Sequence, residues 1–271
     1  MKNSPRRFLQ RNRCLPEFYN MTATRALFEK TLVHHLLQEF QLRYRFKYVL
    51  PKIQEITLDG LKFDVSGLSP KIRNRLLSGA YEANEKQMCL DFLDVSDSVL
   101  EIGGAIGFIS LLCQKIIGIK DYSCFEANPR TFEMLKRNHL LNGVEPRVWN
   151  MALAHADGYV DLEIGSDFWE NTICYHAGCG QGVKTVQVPA GTLQTLLGIA
   201  GHKVNVLILD IEGAEQFIDF QQIPAEIRKI IIEIHPGVIG QEVTYNIVAA
   251  PIGLGFRVAS EENDTFVFLR K

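Results

Sequence analysis

The chain has 271 residues, 46% of them apolar and 22% charged, so it can bury a sizeable core and is not disordered as a whole. Its 29 Lys and Arg residues nearly balance 31 Asp and Glu residues, which excludes a global field that attracts nucleic acid. No apolar run approaches the roughly 18–20 residues of a membrane span, and we expect neither a membrane span nor a nucleic-acid partner.

Cysteine usage points to a reducing compartment. The six cysteines are scattered, without a C-x-x-C pair or a histidine at zinc-finger spacing. We therefore expect reduced, mostly buried thiols and a cytoplasmic location.

The N-terminal third predicts an accessory segment. Basic residues without an acidic one precede Glu17, so we expect residues 1–16 to form a basic, flexible tail. The alternatives are a targeting peptide and a segment that contacts an anionic surface. Helical spacing follows up to Tyr48, and alternation around Asp59-Gly60 predicts a β-hairpin. A helical pattern over residues 69–93, interrupted at residues 79–82, completes an accessory segment that spans residues 17–93.

Short apolar strands alternate with helical patterns from residue 98 onward, which is typical of βαβ units. The predicted strands span residues 99–102, 122–125, 147–151, 204–209 and 230–234, with an antiparallel pair at 256–259 and 265–269. An insertion over about residues 159–188 interrupts the alternation with two short strands around a polar loop. We predict an α/β fold with a doubly wound, mainly parallel sheet, a C-terminal antiparallel hairpin and an N-terminal helical and hairpin extension.

A glycine-rich loop follows the first of these strands, at residues 103–107. Such a turn lets backbone N–H groups and a helix N-terminus approach a polar ligand. A dinucleotide fingerprint needs glycine at the position of Ala105, so the spacing argues against NAD and FAD. The acid-x-Gly-x-Gly-x-Gly pattern of methyltransferases is matched at Glu101, Gly103 and Gly107.

Carboxylates end the following strands. Glu126 lies 19 residues after Gly107, where it can accept both hydroxyls of a ribose. Asp210 and Glu212 lie at the carboxyl edge of the sheet, where open α/β folds bind ligands. The alternative is that Glu212 and Glu215 only cap the next helix.

The last parallel strand carries Glu233 among apolar residues, so this carboxylate must be paired or functional. His235 follows it and emerges beside Asp210. We expect it to have a catalytic or substrate role.

These stretches together resemble the FkbM-type family of S-adenosylmethionine-dependent methyltransferases over residues 78–270. The resemblance is carried by Gly79-Ala80-Tyr81-Glu82, Val99-Leu100-Glu101-Ile102-Gly103 with Gly107, Glu126-Ala127-Asn128-Pro129, Asn138 with Leu141-Asn142, Ala152-Leu153, Asp210-Ile211-Glu212-Gly213-Ala214-Glu215 and Ile232-Glu233-Ile234-His235. In the family the position of Ala105 is more often Asn or Gly.

The resemblance implies a class I methyltransferase (Rossmann-like) domain over residues 94–271, with S-adenosylmethionine as donor and S-adenosylhomocysteine as product. On that basis Glu101, Gly103 and Gly107 hold the methionine part, and Glu126 the ribose. Further cofactor contacts are expected from Tyr81 and Glu82, which close over the cofactor, and from Ala127, Asn128, Ala152 and Asp210.

The implied acceptor is a hydroxyl of a sugar, glycoside or other small hydroxylated metabolite. Such a hydroxyl needs a base, and we expect His235 first and Asp210 or Glu212 second. A divalent cation is possible but not favoured, and we assign no metal ligand. Substrate contacts are expected from Glu233 and from the insertion residues Trp169, Glu170 and Asn171. The alternatives are an RNA ribose methyltransferase and a non-catalytic cofactor-binding scaffold.

Overall fold

The computed structural model describes residues 44–145, 147–164, 173–174 and 185–270. The chain divides into two units, residues 1–49 and residues 50–271. The described part of the first unit is Tyr44 and the π-helical turn Arg45–Val49. The predicted basic tail and most of the first predicted helix lie outside the described residues.

The second unit begins with a 3-10 turn, Leu50–Lys52, and the hairpin strands β1 (Glu55–Leu58) and β2 (Leu61–Asp64). Asp59 and Gly60 connect the strands with φ angles of 51° and 79°. Two positive φ angles are what a two-residue type I′ turn requires, and Asp-Gly adopts them readily. The predicted hairpin is therefore confirmed.

Two helices follow the hairpin. Helix α1 (Pro70–Ser78) starts at Ser69, whose side chain accepts a hydrogen bond from the Ile72 amide, and ends at Gly79 in the left-handed region. Helix α2 (Ala83–Phe92) begins after the break. The interruption predicted at residues 79–82 is therefore confirmed.

The remaining elements alternate as the sequence predicts. In chain order they are β3 (Ser98–Ile102), α3 (Phe108–Leu111, continued by the π-helix Leu112–Ile117), β4 (Asp121–Phe125), α4 (Pro129–Leu141), β5 (Val148–Trp149), β6 (Ala152–Leu153), β7 (Gly158–Glu163), β8 (Ile173–Cys174), β9 (Thr185–Gly191), α5 (Leu193–Ala200), β10 (Val206–Leu209), the 3-10 turns Ala214–Phe217 and Phe220–Gln222, β11 (Lys229–Glu233), α6 (Pro236–Ile239), α7 (Gln241–Gly253), β12 (Phe256–Glu262) and β13 (Thr265–Arg270).

Seven strands form the central sheet in the order β12-β13-β11-β10-β3-β4-β5. Strands β11, β10, β3, β4 and β5 are parallel, whereas β13 runs antiparallel to both β11 and β12. The doubly wound, Rossmann-like α/β sheet with a C-terminal antiparallel hairpin is confirmed. The strand predicted over residues 147–151 is shorter, because the chain leaves this sheet after Trp149.

A second sheet has the order β6-β9-β7-β8. Its strands β7 and β9 pair antiparallel and correspond to the two short strands predicted in the insertion. The polar loop between them, with Trp169, Glu170 and Asn171, lies outside the described residues. The substrate role predicted for these three residues therefore stays a prediction.

The central sheet is buried on both faces. Along β10, Val206 and Ile208 pack into one apolar cluster, and Leu207 and Leu209 pack into another. Continuous apolar strands of this kind are expected when helices cover both faces. The first cluster also contains residues from β1, β2, α1 and α2, so the N-terminal extension from residue 50 shares a core with the sheet. Among the described helices, none is long and apolar enough to cross a membrane.

Asn138 in α4 and Asn142 directly after this helix connect the hairpin to α4. Asn138 accepts a hydrogen bond from the Asp64 amide and donates one to the Ile106 carbonyl of the glycine-rich loop. Asn142 accepts from the Lys62 amide and donates to the Lys62 carbonyl. These contacts fix the extension, the helix and the loop relative to one another.

The glycine-rich loop makes its closest approach to the rest of the sheet at Gly103. The Gly103 amide donates to the Phe125 carbonyl over 2.8 Å, and the Asp210 amide donates to the Ile102 carbonyl over 3.1 Å. A Cβ atom on Gly103 would lie only 1.6 Å from the carbonyl oxygen of Asp210. Only glycine allows the ends of β3, β4 and β10 to meet here.

We expect Gly103→Ala to lower the free energy of unfolding by about 3 kcal/mol or more, because the backbone of Asp210 would have to move. Gly198→Ala in α5 is the matched control: its Cβ would meet nothing within 4 Å, and the change should lie within about 1 kcal/mol. Urea unfolding of both variants measures the difference. Equal stability of the two variants would contradict the close approach.

Candidate active site

A cleft of about 690 Å³ opens at the carboxyl ends of the parallel strands. Open α/β sheets bind ligands at this edge. The sequence-predicted site residues that line it are Tyr81, Glu82, Gly103, Glu126, Ala127, Asn128, Ala152, Asp210, Glu212, Glu233 and His235. The structure thus brings together residues that lie up to 154 positions apart in the chain, from Tyr81 to His235.

Two predicted cofactor residues are absent from the described lining of this cleft. Glu101 is buried, and its carboxylate lies beneath the loop, 3.6 Å from where a Cβ of Gly104 would be. Gly107 precedes α3 with a φ of 86°, and a Cβ there would crowd the His139 ring. Glu101 and Gly107 therefore shape the loop, and neither residue lines the described part of the cleft.

Glu126 connects the glycine-rich loop to the start of α4. Its Oε2 accepts a hydrogen bond from the Ala105 amide, and its Oε1 accepts from the Asn128 amide and the Thr131 hydroxyl. Burial raises the pKa of Glu126, while these hydrogen bonds act in the opposite direction. A carboxylate has about four acceptor sites, so it can also accept hydrogen bonds from a ligand in the cleft.

Ala105 has a φ of 44°, in the left-handed region that alanine rarely adopts. That conformation aims its amide at Glu126, and it costs roughly 1–2 kcal/mol in a residue with a Cβ. Gly and Asn tolerate it better.

An apolar slot lies beside Glu126. Its side chains come from the segment after β5 and from β6 and β7: Met151, Ala152, Leu153 and Leu162. Ala127 also lines the cleft here, and the Asn150 side chain donates hydrogen bonds to the carbonyls of Glu126 and Ala127. A small apolar slot next to a hydrogen-bonded carboxylate suits an aromatic base attached to a ribose.

Four carboxylates surround the imidazole of His235, and we call these five residues the His235 cluster: Asp210, Glu212, Glu215, Glu233 and His235. The His235 Nδ1 atom lies 2.7 Å from Glu215 Oε1. Its Nε2 atom lies 3.3 Å from Glu212 Oε2 and 3.7 Å from Asp210 Oδ1. The imidazole therefore bridges a buried carboxylate and two carboxylates of the cleft.

The environment of His235 stabilises its protonated form. Burial lowers the pKa of His235, but the hydrogen bond to Glu215 and the charges of Glu215, Glu212 and Glu233 outweigh burial and raise it to about 9. At neutral pH both ring nitrogens then carry a proton. The general-base role expected of His235 stays a prediction, and it would require the ring to lose this proton first, because an imidazolium has no free lone pair.

Three carboxylates of the cluster, Asp210, Glu212 and Glu233, have raised pKa values, so they hold a proton more tightly than a free carboxylate does. Burial and the neighbouring charges of Glu233 and Glu212 raise the pKa of Asp210 well above its ordinary value. Burial and the charge of Glu85 raise the pKa of Glu233 to about 7. Burial also raises the pKa of Glu212, although His235 acts against it. Like charges held close together make each carboxylate a stronger base than usual.

A small side cavity of about 10 Å³ lies behind the cleft, near the lower limit for one water molecule. It is lined by five carboxylates, those of Glu82, Glu85, Glu101, Asp210 and Glu233. Glu101 Oε2 is buried and has no hydrogen-bond partner among the described residues. Burial raises the pKa of Glu101 to about 7. Carboxyl groups therefore extend beneath the glycine-rich loop, where burial favours the protonated form of Glu101.

Sequence reasoning missed Glu85 and Glu215 as residues of the site. Glu85 lines the cleft from α2 and accepts a hydrogen bond from the Thr265 hydroxyl over 2.7 Å. Glu215 was attributable to helix capping alone. The sequence does contain a signal for Glu215: it is the third carboxylate in the run that begins at Asp210, five residues earlier.

Ligand atoms of Asp210, Glu233 and His235 lie within 4.8 Å of one another, which would admit a divalent cation. Groups of this kind are common without a metal. A cation would also have to displace the proton on His235 and its contact with Glu212. We therefore assign no metal here.

Comparisons with known proteins show remote likenesses to solved structures. No family model matches the chain, and no curated protein matches it. The chain is similar to a ribosomal protein L11 methylase from Lactobacillus delbrueckii subsp. bulgaricus, at 10% identity over 71% of this chain and 80% of that one, with a TM-score of 0.40. M. capricolum TrmK in complex with S-adenosylhomocysteine gives 9% identity, coverages of 68% and 66%, and a TM-score of 0.38.

A methyltransferase from Pyrococcus furiosus gives 14% identity, coverages of 69% of this chain and 82% of that one, and a TM-score of 0.39. Identities and TM-scores this low do not transfer the activity of these proteins to this chain. Membership of the FkbM-type family stays a prediction.

We expect the His235 ring to titrate near pH 9 in the ligand-free protein, with both nitrogens protonated at pH 7. Histidine side-chain NMR measures this, with His235→Gln for assignment. His139 and His202 serve as internal controls, because burial lowers the pKa of each below 6.5. Titration of His235 at or below pH 6.5 would contradict the charge balance described for the cluster.

Proposed function

We propose that this chain is an S-adenosylmethionine-dependent O-methyltransferase that acts on a hydroxyl of a sugar, glycoside or other small hydroxylated metabolite. The observation that carries the proposal is the excess of carboxylates in the cleft. The acidic residues of its described lining are Glu82, Glu85, Glu126, Asp210, Glu212 and Glu233, and the basic ones are Lys71, Arg75 and His235. Partly buried carboxylates at this density favour a cationic ligand.

The parts of S-adenosylmethionine fit the lining. Glu126 can accept hydrogen bonds from the ribose hydroxyls, and the apolar slot that includes Ala152 and Leu153 suits the adenine ring. Gly103, Tyr81 and Glu82 line the same cleft, where they would hold the methionine part. The sulfonium and ammonium groups would face carboxylates. The fit supports the FkbM-type resemblance in the sequence.

A nicotinamide dinucleotide fits less well. Its pyrophosphate carries two negative charges, whereas acidic side chains outnumber basic ones six to three in the described lining of the cleft. The glycine spacing around Ala105 argues against it independently. The oxidoreductase alternative is therefore disfavoured by both sequence and charge.

The bound cofactor supplies a methyl group that is already activated by its sulfonium. The protein then has to position the acceptor in line and remove one proton from its hydroxyl. We assign that proton to Glu212, because its carboxylate borders the cleft and its pKa is raised. Asp210 lines the cleft next to Gly103, where its carboxylate would face the sulfonium.

His235 acts as an imidazolium on this proposal. Its Nε2 atom lies 3.3 Å from Glu212 and 3.7 Å from Asp210. Its positive charge favours the ionised form of Glu212, against the effect of burial on that carboxylate. Glu212 itself has a φ of 49°. A left-handed conformation in a residue with a side chain costs of the order of 1–3 kcal/mol, and such strain is concentrated at functional sites.

We expect S-adenosylhomocysteine to bind with micromolar affinity and NAD not to bind, as measured by isothermal titration calorimetry. Glu126→Gln should weaken S-adenosylhomocysteine binding about 10- to 100-fold, because a charge-assisted hydrogen bond contributes roughly 1.5–3 kcal/mol. Glu133→Gln, on the exposed side of α4, is the matched control and should leave the affinity unchanged. Equal affinities for both variants would remove Glu126 from the cofactor site.

Activity is sought as transfer of a labelled methyl group to a panel of sugars and glycosides, with bulk RNA as a parallel acceptor. On the best acceptor we expect Glu212→Gln to lower kcat by about 10²- to 10⁴-fold, the range of general-base catalysis. Binding of S-adenosylhomocysteine should stay within a few-fold. Glu242→Gln on the exposed face of α7 is the control. Methylation of RNA alone, with the label recovered on the 2′-hydroxyl after digestion to nucleosides, would replace the small-molecule acceptor by a ribose.

The pH dependence of kcat separates Glu212 from His235 as the base. If the imidazolium is required, kcat falls on the alkaline side as His235 loses its proton, near pH 9. If His235 were the base, kcat would instead rise through the same range and level off above it. We expect the alkaline decline, measured at saturating S-adenosylmethionine and acceptor.

A further inference from the structure

We infer that Glu215 is a positioning residue for the reaction, which holds His235 in the orientation and charge state that the cleft requires. The inference rests on the proposed function. Glu215 lies in the 3-10 turn Ala214–Phe217, outside the described lining of the cleft, and has no exposed surface. It therefore acts through His235 and not on the substrate.

The contact between the two residues is direct. Glu215 Oε1 accepts a hydrogen bond from His235 Nδ1 over 2.7 Å and a longer one, of 3.2 Å, from the Gly213 amide. A buried carboxylate on Nδ1 fixes the plane of the ring and leaves Nε2 to face Glu212 and Asp210. The same logic orients the catalytic histidine of a Ser-His-Asp triad, where a buried carboxylate holds the other ring nitrogen.

The second oxygen of Glu215 shows that capping alone is a poor explanation for a glutamate here. Oε2 is fully buried and has no hydrogen-bond partner among the described residues. Leaving a buried carboxylate oxygen unsatisfied is costly, and a short polar side chain would cap the turn without that cost. The positive charge on His235 compensates for the buried negative one. The charge of Glu215 is therefore tied to that of the imidazolium.

The groups that face His235 come from three elements. Asp210 and Glu212 follow β10, Glu215 comes from the 3-10 turn, and Glu233 ends β11. The described part of α6, which starts at Pro236, has no titratable side chain. Of the four carboxylates, Glu215 makes the shortest contact with the ring and is the most buried.

The test compares Glu215→Gln, which keeps the shape but removes the charge, with Glu215→Asp, which keeps the charge. Glu226→Gln, on an exposed residue, is the control. In ligand-free protein, NMR should show the pKa of His235 falling by at least one unit in Glu215→Gln and remaining closer to that of the unmodified protein in Glu215→Asp. This readout needs neither cofactor nor acceptor.

In the assay, Glu215→Gln should lower kcat at least 10-fold, leave the KM for S-adenosylmethionine within a few-fold, and move the alkaline limb of the pH profile to lower pH. A folded Glu215→Gln protein with an unchanged His235 titration and pH profile would overturn the inference. Should that variant fail to fold, Glu215→Asp decides by the size of its effect. Aspartate keeps the charge but is one methylene shorter, so it lengthens the 2.7 Å contact with His235 Nδ1, and the inference requires a small, measurable fall in the pKa of His235 and in kcat. A His235 titration and a kcat identical to those of the unmodified protein would overturn it. Methylation of no acceptor by the unmodified protein, with the NMR shifts as described, would overturn the proposed function but not the pairing of Glu215 with His235.

Discussion

One imidazole stands among four carboxylates at the carboxyl edge of the sheet, and the rest of the site depends on the balance of charge in that group. Removing like charges from water is costly unless they are paired. His235 supplies one positive charge to Glu215, Glu212 and Asp210. The cleft and its side cavity add further carboxyl groups, whose raised pKa values reflect their burial and mutual repulsion. A cationic cofactor is the partner that such a site favours.

The backbone brings these charges together. Parallel strands deliver their last residues to one edge, and Gly103 lets β3 and β10 approach so closely that no Cβ fits between them. Asn138 connects the loop to the N-terminal hairpin. Glu126 connects the same loop to α4 through the Ala105 and Asn128 amides. The scaffold is therefore rigid where the cofactor would lie.

Much of this could be predicted from sequence, because parallel strands, glycine turns and strand-end acids leave local signals. The Asp59-Gly60 hairpin and the continuous apolar run of β10 are such cases. The protonation of His235 could not be predicted, because it depends on the distance to Glu215, which only the fold sets. Likewise, Glu101 matches a ligand-binding pattern, but its side chain leaves β3 on the side that is buried beneath the loop. Strand β5 ends early because its continuation joins a second sheet.

The central claim, that the acidic cleft is an S-adenosylmethionine site, is tested most directly by a crystal structure of the protein with S-adenosylhomocysteine. The account predicts the ribose hydroxyls on the Glu126 carboxylate, the adenine beside Ala152 and Leu153, and the sulfur atom facing Asp210. A ligand bound elsewhere, or bound in the cleft with its ribose away from Glu126, would contradict it.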